Sequence, residues 1–422
     1  MSQQHLTDGP GKPAADLVAG SRVQPERLPR ALAPDLARGA MLLLIAVANA
    51  VGAVFGGELS GEPHPVGVER WTNVGMFATV HARAYPMFAI LFGYGIVQLA
   101  TRQAAAAAAP SRIRRILLRR NAWLVVFGFV HAALLYSGDF LGAYGLVGVV
   151  ATLVLLRSGR RLERVGLLLW TVSLGYVLVL GLLTLAALGG PQSDPHGLPA
   201  HPIDSLTATS YGASLAARIG EWPAHTLVVA PFIVIVWLGM IAARRRILED
   251  AVAHRRLLTV VAVGGITIAF AGGLPLGLVA GGYLTADEST LQLMTTLHGA
   301  SGMFGGIGYI AGFGLIAAWL TERRDRLNPR VRTVTRMLVA LGRRSLSGYL
   351  FQSVAWLVLL SPFMLHLAQR TPSPLLAGIG IAVLVWLATL WAADRLGDRP
   401  GLAEKVLRRL TYGPRTSRDG AA

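Results

Sequence analysis

The sequence predicts an all-α, polytopic membrane protein with about ten transmembrane helices, and three observations predict it. Hydrophobic residues make up 53% of the 422-residue chain and charged residues only 14%, against about 25% charged in an ordinary soluble domain. Apolar runs of about twenty residues recur from end to end, each long enough to cross a bilayer as a helix. Lys and Arg are confined almost entirely to alternate gaps between those runs. A soluble multidomain enzyme is excluded by this composition. The absence of cysteine excludes disulfides, thiolate nucleophiles and cysteine-ligated metals.

Residues 1–34 carry scattered Pro, Asp, Glu and Arg with no continuous apolar core, so they read as a disordered cytoplasmic tail rather than a cleavable signal peptide. The first apolar run, from Ala40 to Phe55, then serves as an uncleaved signal anchor. Spans are expected at 36–56, 84–101, 120–137, 139–157, 162–189, 224–243, 257–284, 298–320, 338–361 and 374–393. Together they form a transmembrane domain over 35–394, followed by a basic cytoplasmic tail over 395–422. Only Ser137 and Gly138 separate the third and fourth spans, which predicts a tight helical hairpin. Polar stretches fall at 57–83 and 190–223, the second a proline-rich loop, and the alanines at 104–109 are expected to extend a helix.

Orientation follows from the basic residues. Numbering the gaps alternately puts 35 of the 39 Lys and Arg on the side of the N-terminal tail and leaves Arg70, Arg83, Arg218 and Arg370 on the other. The positive-inside rule places the rich side, with both termini, in the cytoplasm. With the acidic residues included, the formal charge is +22 inside and −5 outside. Basic clusters of this kind set topology and attract anionic lipid, each charge contributing about 1 kcal/mol near the surface. No helix-turn-helix, zinc finger or RNA-binding sheet is recognisable, so a nucleic-acid partner is not expected. The lipid bilayer is.

Eight of the ten histidines fall outside or in the outer half of a span, namely His64, His81, His131, His196, His201, His225, His298 and His366. Loops facing outward need polar groups and disfavour Arg, which accounts for most of these. His131 differs because it lies within the third span, where an ionisable side chain is costly and marks a candidate site. A hairpin turning between residues 137 and 138 puts Tyr144 level with His131. Asp139 then lies roughly 7.5 Å nearer the surface, five residues away at ~1.5 Å each. A His131–Asp139 contact is not guaranteed by that register, and a packing bond between His131 and Tyr144 is the alternative.

Ser345, Tyr349, Gln352, Ser353 and Trp356 share one face of the ninth span. A polar stripe there must face protein or a water-filled path. Asp35 and Arg38 stand three apart at the mouth of the first span, placed either to hold an anionic cofactor phosphate or to act as a structural clamp. Glycines at 302, 306, 308 and 312, and at 142, 145 and 148, read as helix-packing seams rather than phosphate loops. No zinc signature, Ser–His–Asp order or paired-carboxylate motif is readable, so no metal is expected.

Five segments in order carry a resemblance. They are Asp35-Leu-Ala-Arg38-Gly39 with Asn49, Leu91-Phe-Gly-Tyr-Gly95, His131 with Gly138-Asp139-x-Leu141-x-x-Tyr144, Gly342-Arg343 with Tyr349-Leu-x-Gln352-Ser353, and Gly401-Leu-Ala-Glu404. Through them the chain resembles the YeiB-like family of bacterial multi-pass membrane proteins, a domain of unknown function, with 224–412 resembling its signature domain. Leu402 stands where the family has proline. The family is distantly similar to transmembrane acyltransferases, which implies a multi-pass protein of the bacterial inner membrane. It would move an acyl group from a cytoplasmic donor such as acyl-CoA to a small-molecule, lipid or glycan acceptor. The resemblance would make His131 a general base or acyl carrier, Asp139 its stabiliser and Tyr144 a hydrogen-bond donor. Arg38, beside Asp35, would hold the donor's phosphates, with acyl-CoA as co-substrate and no resident cofactor. The competing classes are a proton-coupled transporter, with Tyr349, Gln352 and Ser353 lining its path, and a non-catalytic envelope scaffold.

Overall fold

The computed structural model describes residues 31–57 and 59–413, and these are helical apart from their connections. Residues 1–30 of the tail expected at 1–34, and the last nine residues, lie outside the described part, and the expectation is corrected at its end, where α1 begins at Leu32. In chain order the helices are α1 (Leu32–Phe55), α2 (Val68–Thr79), α3 (Ala84–Ala105), α4 (Pro110–Leu134) and α5 (Leu141–Val150), which runs on through a π-helical turn at Ala151–Leu155. They continue as α6 (Arg160–Leu188), α7 (Asp204–Thr207), α8 (Tyr211–Val228), α9 (Ile233–Arg244), α10 (Arg255–Ala280) and α11 (Glu288–Glu322). The last four are α12 (Pro329–Gly342), α13 (Ser345–Leu359), α14 (Pro374–Arg395) and α15 (Leu402–Tyr412). Among the described residues the β-type pairing is a single bridge between His196 and Ala286.

Seven helical segments are long and apolar enough to cross a membrane, or eight if the bent pair α8–α9 is one span. The sequence expects ten, and the difference falls on two short helices. The helix Leu141–Leu155 and α13 are each under 18 residues, so at ~1.5 Å per residue they fall short of a ~30 Å hydrocarbon core. α6 makes the membrane setting plain. Leu168, Val172, Leu178, Val179, Leu182 and Leu185 all stand exposed on it, a surface that lipid covers and water does not.

Four local expectations are corrected. The polar stretch 57–83 contains α2, because Trp71, Val74, Met76 and Phe77 interleave its charges. The sixth span is broken, with α8 and α9 meeting at 58°, where Pro231 has no amide to continue the ladder. The alanine run extends a helix only in part, since α3 takes in Ala104 and Ala105 and stops there, and Ala107 takes a positive φ of 55°. The expected basic tail at 395–422 includes a further helix, α15, which packs on α4 and buries Ala403 and Leu407.

Polar contacts between connections sort into two sets. At one end Arg244 bonds Glu163 and the Leu155 carbonyl, Arg255 bonds Glu322, Arg336 bonds Asp394, and Arg344 bonds the Arg399 carbonyl. At the other, Arg70 bonds the Gly281 carbonyl, Gln192 bonds Asp287 and Gln369 bonds the Val54 carbonyl. These sets are the two sides that the alternation of basic residues separates. The start of α1 and the whole of α15 lie at the basic end.

Close crossings hold the bundle together. α1 and α12 approach until a Cβ at Gly39 would lie 2.1 Å from the Leu338 carbonyl oxygen, and one at Gly342 1.8 Å from that of Asp35. Only glycine fits there. The seams expected in α5 and α11 are present at Gly142, Gly145, Gly148, Gly302, Gly306 and Gly308, while Gly312 meets nothing.

Candidate functional site

The two short helices carry the polar centre. α4 ends at Leu134 and α5 begins at Leu141, so six residues, not two, connect them. The longer connection folds Asp139 back beneath α5, where Oδ1 accepts from Leu141 N–H at 3.1 Å and Oδ2 from Gly142 N–H at 2.8 Å. Asp139 therefore caps α5. The same carboxylate reaches His131 Nδ1 at 2.9 Å. His131 Nε2 meets Ser353 Oγ at 2.8 Å, and the Tyr349 carbonyl, 3.2 Å from the same Oγ, is the alternative acceptor for its one proton. Asp139–His131–Ser353 is thus an orienter–base–hydroxyl chain, with all three side chains at 2% exposure or less. Ser353, expected on the substrate path, is the third member.

Tyr144 is not the partner of His131. Its hydroxyl donates to the Tyr85 carbonyl at 2.7 Å and its ring stacks on Phe88. The ring against His131 belongs to Tyr349, with centroids 4.8 Å apart, and the Tyr349 hydroxyl donates to the Gly138 carbonyl at 3.3 Å. Gln352 is buried with neither amide atom bonded.

A cavity of about 440 Å³ lies beside this centre, within the usual range for a ligand site. It follows α3 from Ala84 to Arg102, roughly 27 Å of helix at ~1.5 Å per residue. Its middle is apolar, walled by Met41, Ile45, Phe88, Leu91, Phe92 and Leu124. Its basic end gathers Arg38, Arg102, Arg120 and Arg343 around a single lining carboxylate, Glu404. Asp35 is buried there and pairs with Arg38 at 3.5 Å and Arg343 at 3.6 Å. Arg120 keeps one buried terminal nitrogen with no hydrogen-bond partner. The far end is formed by Leu59, Val80, His81, Ala82 and Tyr136. Tyr349 and Tyr144 line the cavity, whereas His131, Asp139, Gln352 and Ser353 do not. Tyr349 is the wall between cavity and triad.

The recurring sequence segments gain physical roles. Gly95 leaves room for the Arg38 guanidinium, 3.3 Å from where its Cβ would be. Glu404 of α15 accepts from Leu346 N–H at 2.9 Å and Ser347 N–H at 3.2 Å, so the last helix caps α13. Arg344 bonds the Ala340, Gly397 and Arg399 carbonyls, and burial beside Arg343 lowers its guanidinium below the usual value. Glu249, in the α9–α10 connection, accepts from the Tyr94 hydroxyl and from Gln98 at 2.9 Å, and burial pushes its carboxyl up.

A second buried cluster escapes the sequence reading. Arg83, fully buried, bonds the carbonyls of His81 and Ala269 and meets His298 Nδ1 at 3.2 Å. Among the described residues it forms no ion pair. A usable signal was that Arg83 is one of just four basic residues on its side of the alternation.

Residues 242–414 match a family described as "Protein of unknown function (DUF418)". The uncharacterized protein YeiB of Escherichia coli (strain K12) is 33% identical over 118 residues, a stretch covering 28% of this chain and 28% of YeiB. The uncharacterized protein YxaH of Bacillus subtilis (strain 168) is 24% identical over 314 residues, covering 68% of this chain and 70% of YxaH.

Proposed function

Starting from a chain that belongs to the YeiB-like family of unknown function, we propose an acyltransferase-like membrane protein whose donor is an acyl-CoA. The donor's anionic head is held by Arg38, Arg102, Arg120 and Arg343, and its pantetheine arm, carrying the acyl group at its tip, lies along the apolar stretch of α3. The observation that carries this reading is the composition of the cavity, apolar for most of its length with four arginines at one end. Arginine matches phosphate bidentately, and Arg120, with its unpaired buried nitrogen, is the group most in need of an anion. Positive-inside orientation puts that end in the cytoplasm of the bacterial cell, where acyl-CoA resides. In this reading His131, Asp139 and Ser353 hold Tyr349 and the α4–α5 connection in place. Direct acyl transfer to Ser353, or base catalysis by His131, requires Tyr349 to leave the wall. The acceptor is a hydroxyl or amine on a small molecule, lipid or glycan.

The test is binding of palmitoyl-CoA to the full chain in nanodiscs, beside phosphatidylglycerol as the alternative anionic amphiphile. Arg120→Gln is expected to weaken palmitoyl-CoA about tenfold or more, since a hydrogen bond to a charged group contributes ~1.5–3 kcal/mol. No binding by the wild type, or binding of phosphatidylglycerol alone, removes the acyl-CoA reading. A proton-coupled transporter is the second reading, favoured by the length of the cavity. Substrate accumulation in vesicles that collapses with the proton gradient would select it.

A further inference from the structure

We propose that His81 is the general base that activates the acceptor, at the end of the cavity opposite the arginines; this rests on the acyl-transfer reading above. His81 is the one histidine among the described residues that lines the cavity. Its ring is held on one side by the Ser60 backbone carbonyl, and its Nε2 is buried at the cavity wall with no hydrogen-bond partner. An imidazole anchored through Nδ1–H to a carbonyl leaves the Nε2 lone pair unused, the tautomer that a base requires. His131 has both nitrogens engaged and no cavity surface.

Two further observations single out this position. His81 lies in the break between α2 and α3, where Ala82 holds a φ of 61°, a conformation disfavoured for any residue with a Cβ. Such strain persists only where surrounding structure enforces it, and it concentrates at functional sites. Arg83 enforces it here. Its guanidinium bonds the His81 carbonyl while its other contacts fasten it to α10 and α11 through Ala269 and His298. Gly302 admits the loop, since a Cβ there would lie 2.4 Å from the Ala82 carbonyl oxygen. Arg83 is a positioning residue. His81 is the group that touches the acceptor.

The step balances. The acceptor oxygen attacks the thioester carbonyl, its O–C bond forms and the C–S bond breaks. The hydroxyl proton passes to His81 Nε2 and from there to the departing sulfur, leaving an ester and free thiol. The donor arm reaches His81 by extending along α3 from the arginine end.

The experiment uses the full chain in nanodiscs with acetyl-CoA as donor and octyl glucoside as acceptor. It reads acetyl-CoA affinity, thiol release and acetylated glucoside separately. His81→Asn is expected to keep acetyl-CoA affinity while thiol release and acetylated product fall about 10²–10⁴-fold, the range for loss of a general base. Added imidazole should restore part of the turnover of His81→Ala, which a purely structural role would not produce. Arg83→Lys should shift the pH profile of turnover while the chain still melts cooperatively. Full turnover in His81→Asn overturns the inference. So does rescue by imidazole in His131→Ala but not in His81→Ala. A wild type that binds acetyl-CoA but releases no thiol also overturns it while leaving the donor site standing, and failure of binding itself removes the acyl-CoA reading.

Discussion

Two buried histidine clusters lie in this bundle, and they solve the problem of polar groups at membrane depth in opposite ways. Within the His131 triad itself both ring nitrogens and both carboxylate oxygens have partners: Asp139 faces His131 and the α5 amides, and Ser353 closes the other ring nitrogen. Around Arg83 a cation is buried with carbonyls and a histidine for company, and the Nε2 atoms of both His81 and His298 are left over. Burying unpaired polar atoms is costly, and a network that is complete gives rigidity while one that is incomplete has capacity to spare. The difference teaches where to look for chemistry. The complete cluster is a fastening, and the incomplete one borders the cavity.

Substitutions separate the two clusters by the size of their effects on thermal unfolding in detergent. The largest is expected at Asp139→Ala, which strips His131 of its partner and α5 of its cap in one change. Breaking a buried pair from one side costs about 3–5 kcal/mol, and Asp139→Asn, which keeps an acceptor for the α5 amides, should retain part of it. An unchanged melting midpoint in Asp139→Ala would break the comparison outright. Next comes His298→Ala, which removes an acceptor from a buried cation and leaves a hole, for about 2–3 kcal/mol. His81→Asn should cost less, about 1 kcal/mol, because the His81 Nε2 gives up no bond. If His81→Asn destabilises more than His298→Ala, His81 is a structural member of its cluster.

The sequence made the fold class legible through composition and the alternation of basic residues, and both are averages over many side chains. His131, Asp139, Tyr349 and Ser353 were each marked by burial cost or by helical spacing. Their connectivity was not legible, because it turns on the α4–α5 connection being six residues long rather than two. That length is set by Asp139 capping α5, a tertiary choice that hydropathy does not report. The Arg83 cluster was missed for a related reason. The apolar run of the second span begins just after Arg83, so by hydropathy a buried cation reads as a loop residue. The helix breaks at Pro231 and Ala107 are likewise local events within runs whose apolar average continues across them.

Smaller effects sharpen the same contrast. Ser353→Ala leaves His131 bound to Asp139 and is expected to cost about 1 kcal/mol. A loss as large as that of Asp139→Ala would mean that Ser353 is needed for the whole triad to form, and that the cluster acts as one unit rather than as an acid with attachments.

Glu249 supplies the last and smallest test, as an acid without a cation. Among the described residues it forms no ion pair, and it is held by Tyr94 and Gln98 at the basic end. Burial raises its folded-state pKa above the ordinary 4.5. Between those two values the folded state holds the proton that the unfolded state has released, so stability falls as pH rises through that window. The contribution is fully present below 4.5 and is lost once pH passes the raised folded value. Melting midpoints measured upward from pH 4 should therefore decline more steeply in the wild type than in Glu249→Gln, whose amide does not titrate. Parallel curves would mean that a neighbouring arginine neutralises Glu249 in solution. An acid at this end would then always find a cation, and Arg83, lacking an acid at the other, would be the sharper exception.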